Sequence, residues 1–282
     1  MSLYQAVEKI ENAANSSIGK ENEDYIGVDD LLYCGKCHTP KQVVINLCGQ
    51  IKKPNCLCKC GVEKRDRFEL SRMDEKKRRR IEEFRRIGIP GKELRKCTFE
   101  ADDGYNPELT KIALNYVDNF QEIMSAGKGI LFYGDVGTGK TFTAAAIANA
   151  LIDKGYKCFV TNFSTIINTL SGMFDKQEYI DRLNSYALLI IDDLAAERST
   201  AYGNEIVHSI IDNRCNVGLP MIVTTNLTAE ELKCPRTKEN KRIYSRLLDK
   251  CFPVEMKGKD RRKQKFVEEY DYYHEILTFE EL

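Results

Sequence analysis

The sequence has no apolar stretch near the roughly 20 residues that a membrane-spanning helix requires. Its first residues lack a basic segment followed by an apolar core, so a secretory signal is not expected. Net charge is also absent, because 43 Lys and Arg residues balance 43 Asp and Glu residues. Total charge therefore predicts no partner. We expect a cytoplasmic protein without a membrane partner.

Eleven cysteines would indicate disulfides in a small secreted chain, but without a secretory signal these thiols are expected to be reduced. Clustered reduced thiols are typical of metal sites. The candidate ligands cluster between positions 34 and 60, and they are Cys34, Cys37, His38, Cys48, Cys56, Cys58 and Cys60.

The spacing of this cluster predicts one structural zinc ion. Cys34 and Cys37 form a Cys-x-x-Cys turn that contains a glycine, as in a zinc knuckle. Tetrahedral zinc takes four ligands, and we assign Cys34, Cys37, Cys58 and Cys60, with Cys56 as the first substitute. The segment has few large apolar residues, so a metal cross-link would hold it folded. An iron–sulfur cluster and free thiols are the alternatives. A catalytic zinc ion is not expected, because the sequence shows no open site with a paired general base.

Residues 134–141 fit the pattern G-x-x-x-x-G-K-[ST]. The apolar run 130–133 precedes them as a predicted buried strand, and a segment rich in helix formers follows as far as Gly155. Strand, glycine loop and helix are the context of a phosphate site, which argues against a chance match. The residues assigned to nucleotide binding in this stretch are Gly134, Asp135, Val136, Gly137, Thr138, Gly139, Lys140, Thr141 and Phe142.

Each part of this loop suits a polyphosphate. The glycines let backbone N–H groups turn inward, and the helix N-terminus adds partial positive charge. Lys140 is expected to reach the β- and γ-phosphates, and the Thr141 hydroxyl is expected to bind Mg²⁺. The sequence therefore predicts a nucleoside triphosphate site.

A second apolar strand, residues 188–191, ends in two carboxylates. Asp192 is expected to hold Mg²⁺ through water, and Asp193 to orient or deprotonate the attacking water. An acidic turn at a strand end is the alternative. A further strand, 157–161, lies between the two motifs in the sequence, which is the arrangement of the additional-strand ATPases.

Apolar strands alternate with helical segments along the second part of the chain, and no internal repeat is visible. This alternation predicts an α/β fold with a parallel sheet covered by helices on both faces. The expected helices are 107–125, 163–173, 176–184 and 203–216, and the later strands are 186–194, 220–226 and 252–256.

Polar residues after these strands complete the predicted site. Asn226 is a sensor-1 candidate that hydrogen-bonds the water or the γ-phosphate, with a turn-forming role as the alternative. Arg246, and next Arg242, have the spacing of an arginine-finger helix that reaches the phosphates of a neighbouring subunit. Arg262 is the first choice for a sensor-2 arginine, ahead of Arg261. Surface solvation is the alternative for each arginine.

Two helices are predicted in the front part. Residues 3–14 have the apolar spacing of an amphipathic helix, which is expected to pack locally or to dock on a partner. Residues 62–87 form a basic helix, since 62–96 hold fourteen Lys and Arg residues against eight Asp and Glu residues. A nucleic-acid contact and a solvated connector explain this helix equally well, and a nuclear-localisation signal is less well supported.

Four motifs, at 134–141, 188–198, 222–227 and 242–247, resemble in sequence and order the DnaC/DnaI helicase-loader branch of the AAA+ ATPases. The IstB transposition helpers share them. The resemblance covers residues 97–265, and the cysteine-rich front resembles more loosely the zinc-binding domain of DnaI-type loaders. Ala195 stands where the family often has glycine, which affects only a turn. No winged-helix extension is visible, so duplex-origin recognition is not expected.

This resemblance implies a slow AAA+ ATPase that uses ATP and Mg²⁺ as a switch while it loads a hexameric replicative helicase. Single-stranded DNA and further copies of the chain, assembled in ATP, are the other implied partners. The expected segments are an N-terminal helix and linker (1–30), a Zn²⁺-binding module (31–62), a basic connector helix (63–96) and an AAA+ domain (97–282). The alternatives are an IstB-like transposition helper, acting on duplex DNA with a transposase, and a nucleic-acid-binding scaffold with negligible turnover.

Overall fold

The computed structural model of the protein describes residues 23–47, 49–194 and 201–278. The predicted helix 3–14, Cys48 and Ala195 lie outside these residues. The chain divides into two compact units, and the division falls between Arg78 and Arg79. Among the described helices, none is both long enough and apolar enough to cross a membrane.

Two short antiparallel hairpins form the front of the first unit. β1 (Tyr25–Ile26) pairs with β2 (Leu32–Tyr33), and β3 (Ile45–Leu47) pairs with β4 (Gln50–Lys52). Among the described residues of this unit, the buried apolar side chains are Leu32, Cys34 and Cys58. Two of these three are thiols, so hydrophobic burial contributes little to holding the hairpins together.

The basic segment forms one long helix, α1 (Lys59–Gly88). Its apolar side chains differ along its length, since Phe68 and Met73 are exposed whereas Ile81 and Phe84 pack against a core cluster. A Cβ atom on Gly88 would lie 2.0 Å from the carbonyl oxygen of Cys158. Glycine at this position therefore allows the close approach of two backbones.

The second unit alternates helices and strands. Its elements are α2 (Lys92–Lys96), a 3₁₀ turn (Phe99–Ala101), α3 (Pro107–Asp118), α4 (Phe120–Ala126), β5 (Gly129–Gly134), α5 (Lys140–Asp153), β6 (Cys158–Asn162), α6 (Phe163–Ser171), α7 (Lys176–Asn184), β7 (Leu188–Leu194), α8 (Ala201–Val217), β8 (Met221–Thr225), α9 (Ala229–Lys233), α10 (Lys238–Lys250), β9 (Cys251–Met256) and α11 (Arg261–Leu277).

Five of these strands form one parallel sheet in the order β6-β7-β8-β5-β9. Neighbouring residues of the central strands enter opposite core clusters, as Leu131 and Ile130 of β5 do. One cluster includes residues of α3 and α5, and the other includes residues of α6, α7, α8 and α10. The predicted parallel sheet with two covered faces is confirmed. The strand β8 lies between β5 and β7. Because all three strands are parallel, the two strands that carry the P-loop and the carboxylates end at the same edge of the sheet.

The predicted helix 107–125 is divided in two at Asn119. The side-chain amide and the backbone N–H of Asn119 both donate hydrogen bonds to the carbonyl oxygen of Asn115, at 2.9 and 3.0 Å, and Asn119 is the residue at which α3 ends. Phe120, which begins α4, is buried. The interruption therefore lies directly before a residue of the core.

The helix α11 is absent from our sequence prediction, whose last element is the strand 252–256. Asp260 caps this helix, because its carboxylate accepts a hydrogen bond from the backbone N–H of Arg262 at 3.1 Å. That N-cap is the local signal that would have predicted the helix.

Arg214 of α8 is the largest fully buried side chain among the described residues of the second unit. Its guanidinium donates to the carbonyl oxygens of Leu183, Tyr186, Ala187 and Pro220 at 2.8 to 3.3 Å. Burial lowers the pKa of Arg214 to about 10, but this value is still well above 7, so the group is charged at neutral pH. One cation thus joins the end of α7 to the segments that precede β7 and β8.

We expect Arg214→Met to lower the free energy of unfolding by at least about 3 kcal/mol, since several buried carbonyl oxygens lose their donor. Denaturant unfolding of the full chain measures this change. Arg236→Met, at an exposed position, is the control and is expected to change it by less than about 0.5 kcal/mol. Equal stability of the two variants would contradict the structural role of Arg214.

Candidate functional site

The P-loop connects β5 to α5, and its backbone conformation explains its glycines. Gly134, Gly137 and Gly139 have φ values of 121°, 76° and 96°, which lie in the region that side chains other than glycine rarely adopt. A Cβ atom on Gly137 would also lie 1.9 Å from a carboxylate oxygen of Asp260. The loop therefore needs glycine at these positions, both for its conformation and for its contact with the start of α11.

Lys140, the first residue of α5, folds back over the loop. Its ammonium donates to the carbonyl oxygens of Gly134 at 2.9 Å and of Asp135 at 2.5 Å. Burial lowers the pKa of Lys140, while the charges of Asp193, Asp135 and Asp192 act in the opposite direction. The cation is therefore held in the mouth of the loop, where a phosphate oxygen is a stronger acceptor than a carbonyl group.

The hydroxyl of Thr141 lies against the carboxylate of Asp192, 51 residues away in the sequence. It is 2.9 Å from one carboxylate oxygen and 3.0 Å from the other. Burial raises the pKa of Asp192, and hydrogen bonds from Thr224 and Thr141 oppose this rise. A hydroxyl beside a carboxylate is the oxygen donor set that Mg²⁺ uses in P-loop proteins, so these two residues fit the ion.

Asp193 lies at the same sheet edge with an exposed side chain. Its φ of 56° places its backbone in the left-handed region, which is uncommon for a residue other than glycine. Strained backbone of this kind clusters at functional sites. The conformation directs two consecutive carboxylates differently, one toward Thr141 and one toward the pocket.

A pocket of about 370 Å³ opens beside the loop. Its lining residues are Val136, Gly137, Gly139, Lys140, Thr141, Phe142, Asp193, Asn226, Arg261 and Arg262. The structure thus places the predicted sensor residues Asn226 and Arg262 together with the P-loop and Asp193. Gly134, Asp135 and Thr138 belong to the loop itself, and the Thr138 hydroxyl donates to the carbonyl oxygen of Asp135 at 2.9 Å.

Arg261, the second choice for the sensor-2 arginine, also lines this pocket. Its backbone N–H donates to the carbonyl oxygen of Gly137 at 3.1 Å, and its guanidinium forms an ion pair with Asp103. The same guanidinium lies 5.8 Å from the centre of the Tyr105 ring. Arg261 is thereby tied to the segment before α3, whereas Arg262 is exposed. The two arginines lie on the same pocket, and no sequence pattern distinguishes them.

Arg242 and Arg246 lie elsewhere. They line a separate surface pocket of about 570 Å³ together with His208, Ser245 and Asp249. Arg246 also approaches Asp212 at 3.0 Å, without the angle of a hydrogen bond. Neither arginine lines the pocket beside its own P-loop, as expected for residues that would act on a neighbouring subunit. Their role stays a prediction.

The four cysteines assigned to zinc come together in the first unit. The sulfur atoms of Cys34, Cys37, Cys58 and Cys60 all lie within 4.8 Å of one another. The first two belong to the turn after β2, Cys58 directly precedes α1, and Cys60 lies in its first turn. Cys56 is outside this group and lies 3.6 Å from the carbonyl oxygen of Pro40.

The proton balance of these thiols favours a cation. Hydrogen bonding with Thr39 lowers the pKa of Cys37 to about 5. Hydrogen bonding with the sulfur of Cys58, and then with those of Cys34 and Cys37, raises the pKa of Cys60 to about 12. Four thiols at this spacing cannot all ionise by themselves, because each thiolate opposes the next. A divalent metal ion removes that conflict, so the donor set fits zinc.

The sheet order, the P-loop and the paired carboxylates define the chain as a P-loop nucleotide-binding protein of the additional-strand type. Residues 70–268 match the family described as IstB-like ATP binding protein. The match spans more than half of the chain, and the protein belongs to this family.

The related proteins include helicase loaders. The chain is 27% identical to the replicative helicase loader DnaI of Bacillus subtilis over 182 residues, which cover 59% of this chain and 58% of DnaI. It is 28% identical to DnaC of Escherichia coli over 145 residues, covering 48% and 58% of the two chains. A protein described as ATP-binding in an insertion sequence of Mycobacterium tuberculosis is 26% identical over 184 residues, covering 61% and 73%. The chain thus spans less than two thirds of the two loaders.

Solved structures show the same fold. A crystal structure of DnaI superimposes with a TM-score of 0.52 at 23% identity, covering 62% of this chain and 96% of the other. A crystal structure of the DnaC helicase loader gives a TM-score of 0.53 at 22% identity, covering 59% and 100%. The AAA+ P-loop fold expected from the sequence is confirmed.

We expect one zinc ion per full-length chain, measured by metal analysis after gel filtration. Cys58→Ser removes one of four thiolates, so it is expected to lose at least about nine tenths of the metal, since structural zinc needs a closed set of four ligands. Cys56→Ser is the matched control and keeps the full amount. A loss of metal in the Cys56 variant, with retention in the Cys58 variant, would contradict this ligand set.

Proposed function

We propose that the protein is an ATP-dependent loader of a replicative DNA helicase in the initiation of DNA replication. The observation that carries this proposal is the pairing of a AAA+ nucleotide site with a four-thiolate module, in a chain related to DnaI and DnaC. The zinc module would grip the hexameric helicase. The AAA+ domain would bind ATP, Mg²⁺ and single-stranded DNA.

In this proposal ATP binds in the pocket beside the P-loop. Lys140 exchanges its two carbonyl partners for oxygens of the β- and γ-phosphates. Thr141 and Asp192 hold Mg²⁺, which neutralises charge on the phosphates when it is bound. Asp193 orients the attacking water and accepts its proton, and Asn226 hydrogen-bonds the water or the γ-phosphate.

Completion of the site requires a second copy of the chain. Arg246, and next Arg242, would reach the phosphates of the neighbouring subunit from their separate surface, and Arg262 would contact the phosphates of its own subunit. Copies would therefore assemble head to tail in ATP. Hydrolysis, which is slow, would break these contacts and release the helicase.

The basic helix α1 offers a site for nucleic-acid phosphates. The run Lys76, Lys77, Arg78, Arg79 and Arg80 is exposed throughout. Consecutive residues of a helix point in directions about 100° apart, so these charges surround the helix instead of forming one stripe. Such an arrangement suits a flexible single strand, whose phosphates reach around a helix.

A second candidate function is that of a transposition helper acting on duplex DNA with a transposase. The IstB-like family and the relative in an insertion sequence favour it. The cysteine module favours the loader, because it resembles the zinc-binding front of DnaI-type proteins.

The deciding experiment is size-exclusion chromatography of the full chain with the hexameric replicative helicase of its host, with and without ATP. We expect a co-eluting complex that is lost in a Cys34→Ser, Cys37→Ser double variant and kept in Cys56→Ser. Absence of any complex, together with coating of duplex DNA in ATP, would replace the loader by the transposition helper.

Hydrolysis is tested separately. We expect Asp193→Asn to retain ATP binding and to lower kcat by at least about 100-fold, the contribution of a general base. Lys140→Ala is expected to lose nucleotide binding, because the phosphates lose their cation. ATP turnover and binding of a fluorescent ATP analogue give the two readouts. An unchanged rate in Asp193→Asn would instead favour the nucleic-acid-binding scaffold.

A further inference from the structure

The register between the strands β7 and β8 shifts at the site. Ile191 pairs with Val223, but the next aligned pair is Leu194 with Thr225. Two residues of β7, Asp192 and Asp193, therefore lie opposite one residue of β8. This is the arrangement of a β-bulge, and bulges occur frequently beside active sites.

The residue opposite both carboxylates is Thr224, whose side chain is fully buried. Its hydroxyl donates to the carboxylate of Asp192 at 2.5 Å and accepts from the backbone N–H of Asp193 at 2.9 Å. A hydroxyl has one proton to donate. Because Asp193 N–H can only donate, that proton is directed to Asp192, and the polarity of both hydrogen bonds is fixed.

Each of these bonds constrains a different part of the site. The bond to Asp192 engages one carboxylate oxygen, Oδ1, and thereby fixes the rotation of a group that also contacts Thr141. The bond from Asp193 holds the backbone of a residue whose φ is 56°. This conformation is unfavourable for a residue other than glycine, so a contact from the surrounding structure is needed to maintain it.

We propose that Thr224 is a positioning residue for ATP hydrolysis, which orients Asp192 toward Mg²⁺ and holds Asp193 in the conformation that faces the pocket. The proposal rests on the proposed ATPase activity of this site. It assigns to one hydroxyl the alignment of both carboxylates. Asn226, two residues further along the chain, lines the pocket itself.

A buried threonine can also serve only to fill space in a core. The neighbouring Thr225 provides the comparison, because it is equally buried on the same strand and donates to the backbone carbonyl oxygen of Leu194 at 2.8 Å. It makes no side-chain bond to either carboxylate in the described part of the chain. Loss of either hydroxyl is therefore expected to lower stability, but only loss of the Thr224 hydroxyl is expected to change the magnesium dependence.

The test compares Thr224→Val, Thr224→Ser and Thr225→Val in the full chain. Valine keeps the shape of threonine but removes the hydroxyl, and serine keeps the hydroxyl. We measure kcat, the magnesium concentration that gives half-maximal binding of a fluorescent ATP analogue, and thermal stability.

We expect Thr224→Val to lower kcat by about 10- to 100-fold, the effect of one hydrogen bond to a charged group. The half-saturating magnesium concentration is expected to rise at least about threefold, because Asp192 loses the bond that orients it. Thr224→Ser is expected to recover both values to within about threefold. Thr225→Val is expected to lower thermal stability and to leave the magnesium dependence unchanged.

Equal losses in Thr224→Ser and Thr224→Val would overturn the proposal, since packing alone would then explain them. An unchanged magnesium dependence in Thr224→Val would also overturn it. The measurement needs no helicase, so a failure of helicase loading is seen separately. Wild-type protein without turnover would refute the ATPase activity, and the magnesium dependence of nucleotide binding would then decide the role of Thr224.

Discussion

The contact between the Thr141 hydroxyl and the Asp192 carboxylate is the interaction on which the nucleotide site depends. It joins the first turn of α5, the helix that follows β5, to the end of β7, and β8 lies between β5 and β7 in the sheet. The parallel sheet makes the contact possible, because all its strands deliver their carboxyl ends to one edge. The pocket, the sensor residues and the start of α11 are arranged around that edge.

Different interactions stabilise the interior of each of the two units. The second unit buries aliphatic side chains on both faces of its sheet. At the sheet edge away from the nucleotide site, Arg214 connects the segments that precede β7 and β8. The first unit buries few apolar side chains among its described residues, and its four sulfur atoms converge instead. Zinc would thus contribute to the first unit what hydrophobic burial contributes to the second.

Features with a local pattern could be predicted from the sequence. The P-loop, the two carboxylates and the cysteine cluster depend on spacing within a few residues, and the alternation of apolar strands with helices predicted the parallel sheet. Arg214 and Thr224 could not be predicted, because their partners lie on other elements and ordinary helix and strand residues look the same. The ion pair that distinguishes Arg261 from Arg262 likewise involves Asp103, which is far away in the sequence. The N-cap at Asp260 is a local signal that our sequence prediction missed.

The left-handed backbone at Asp193 restricts which acid can stand there. Among residues with a Cβ atom, aspartate and asparagine adopt this conformation at the lowest cost, because their short polar side chains hydrogen-bond locally. Glutamate carries the same carboxylate on a longer side chain and lacks that compensation. Exchange of the two acids, chemically conservative in a regular strand, is therefore unfavourable at this bulge.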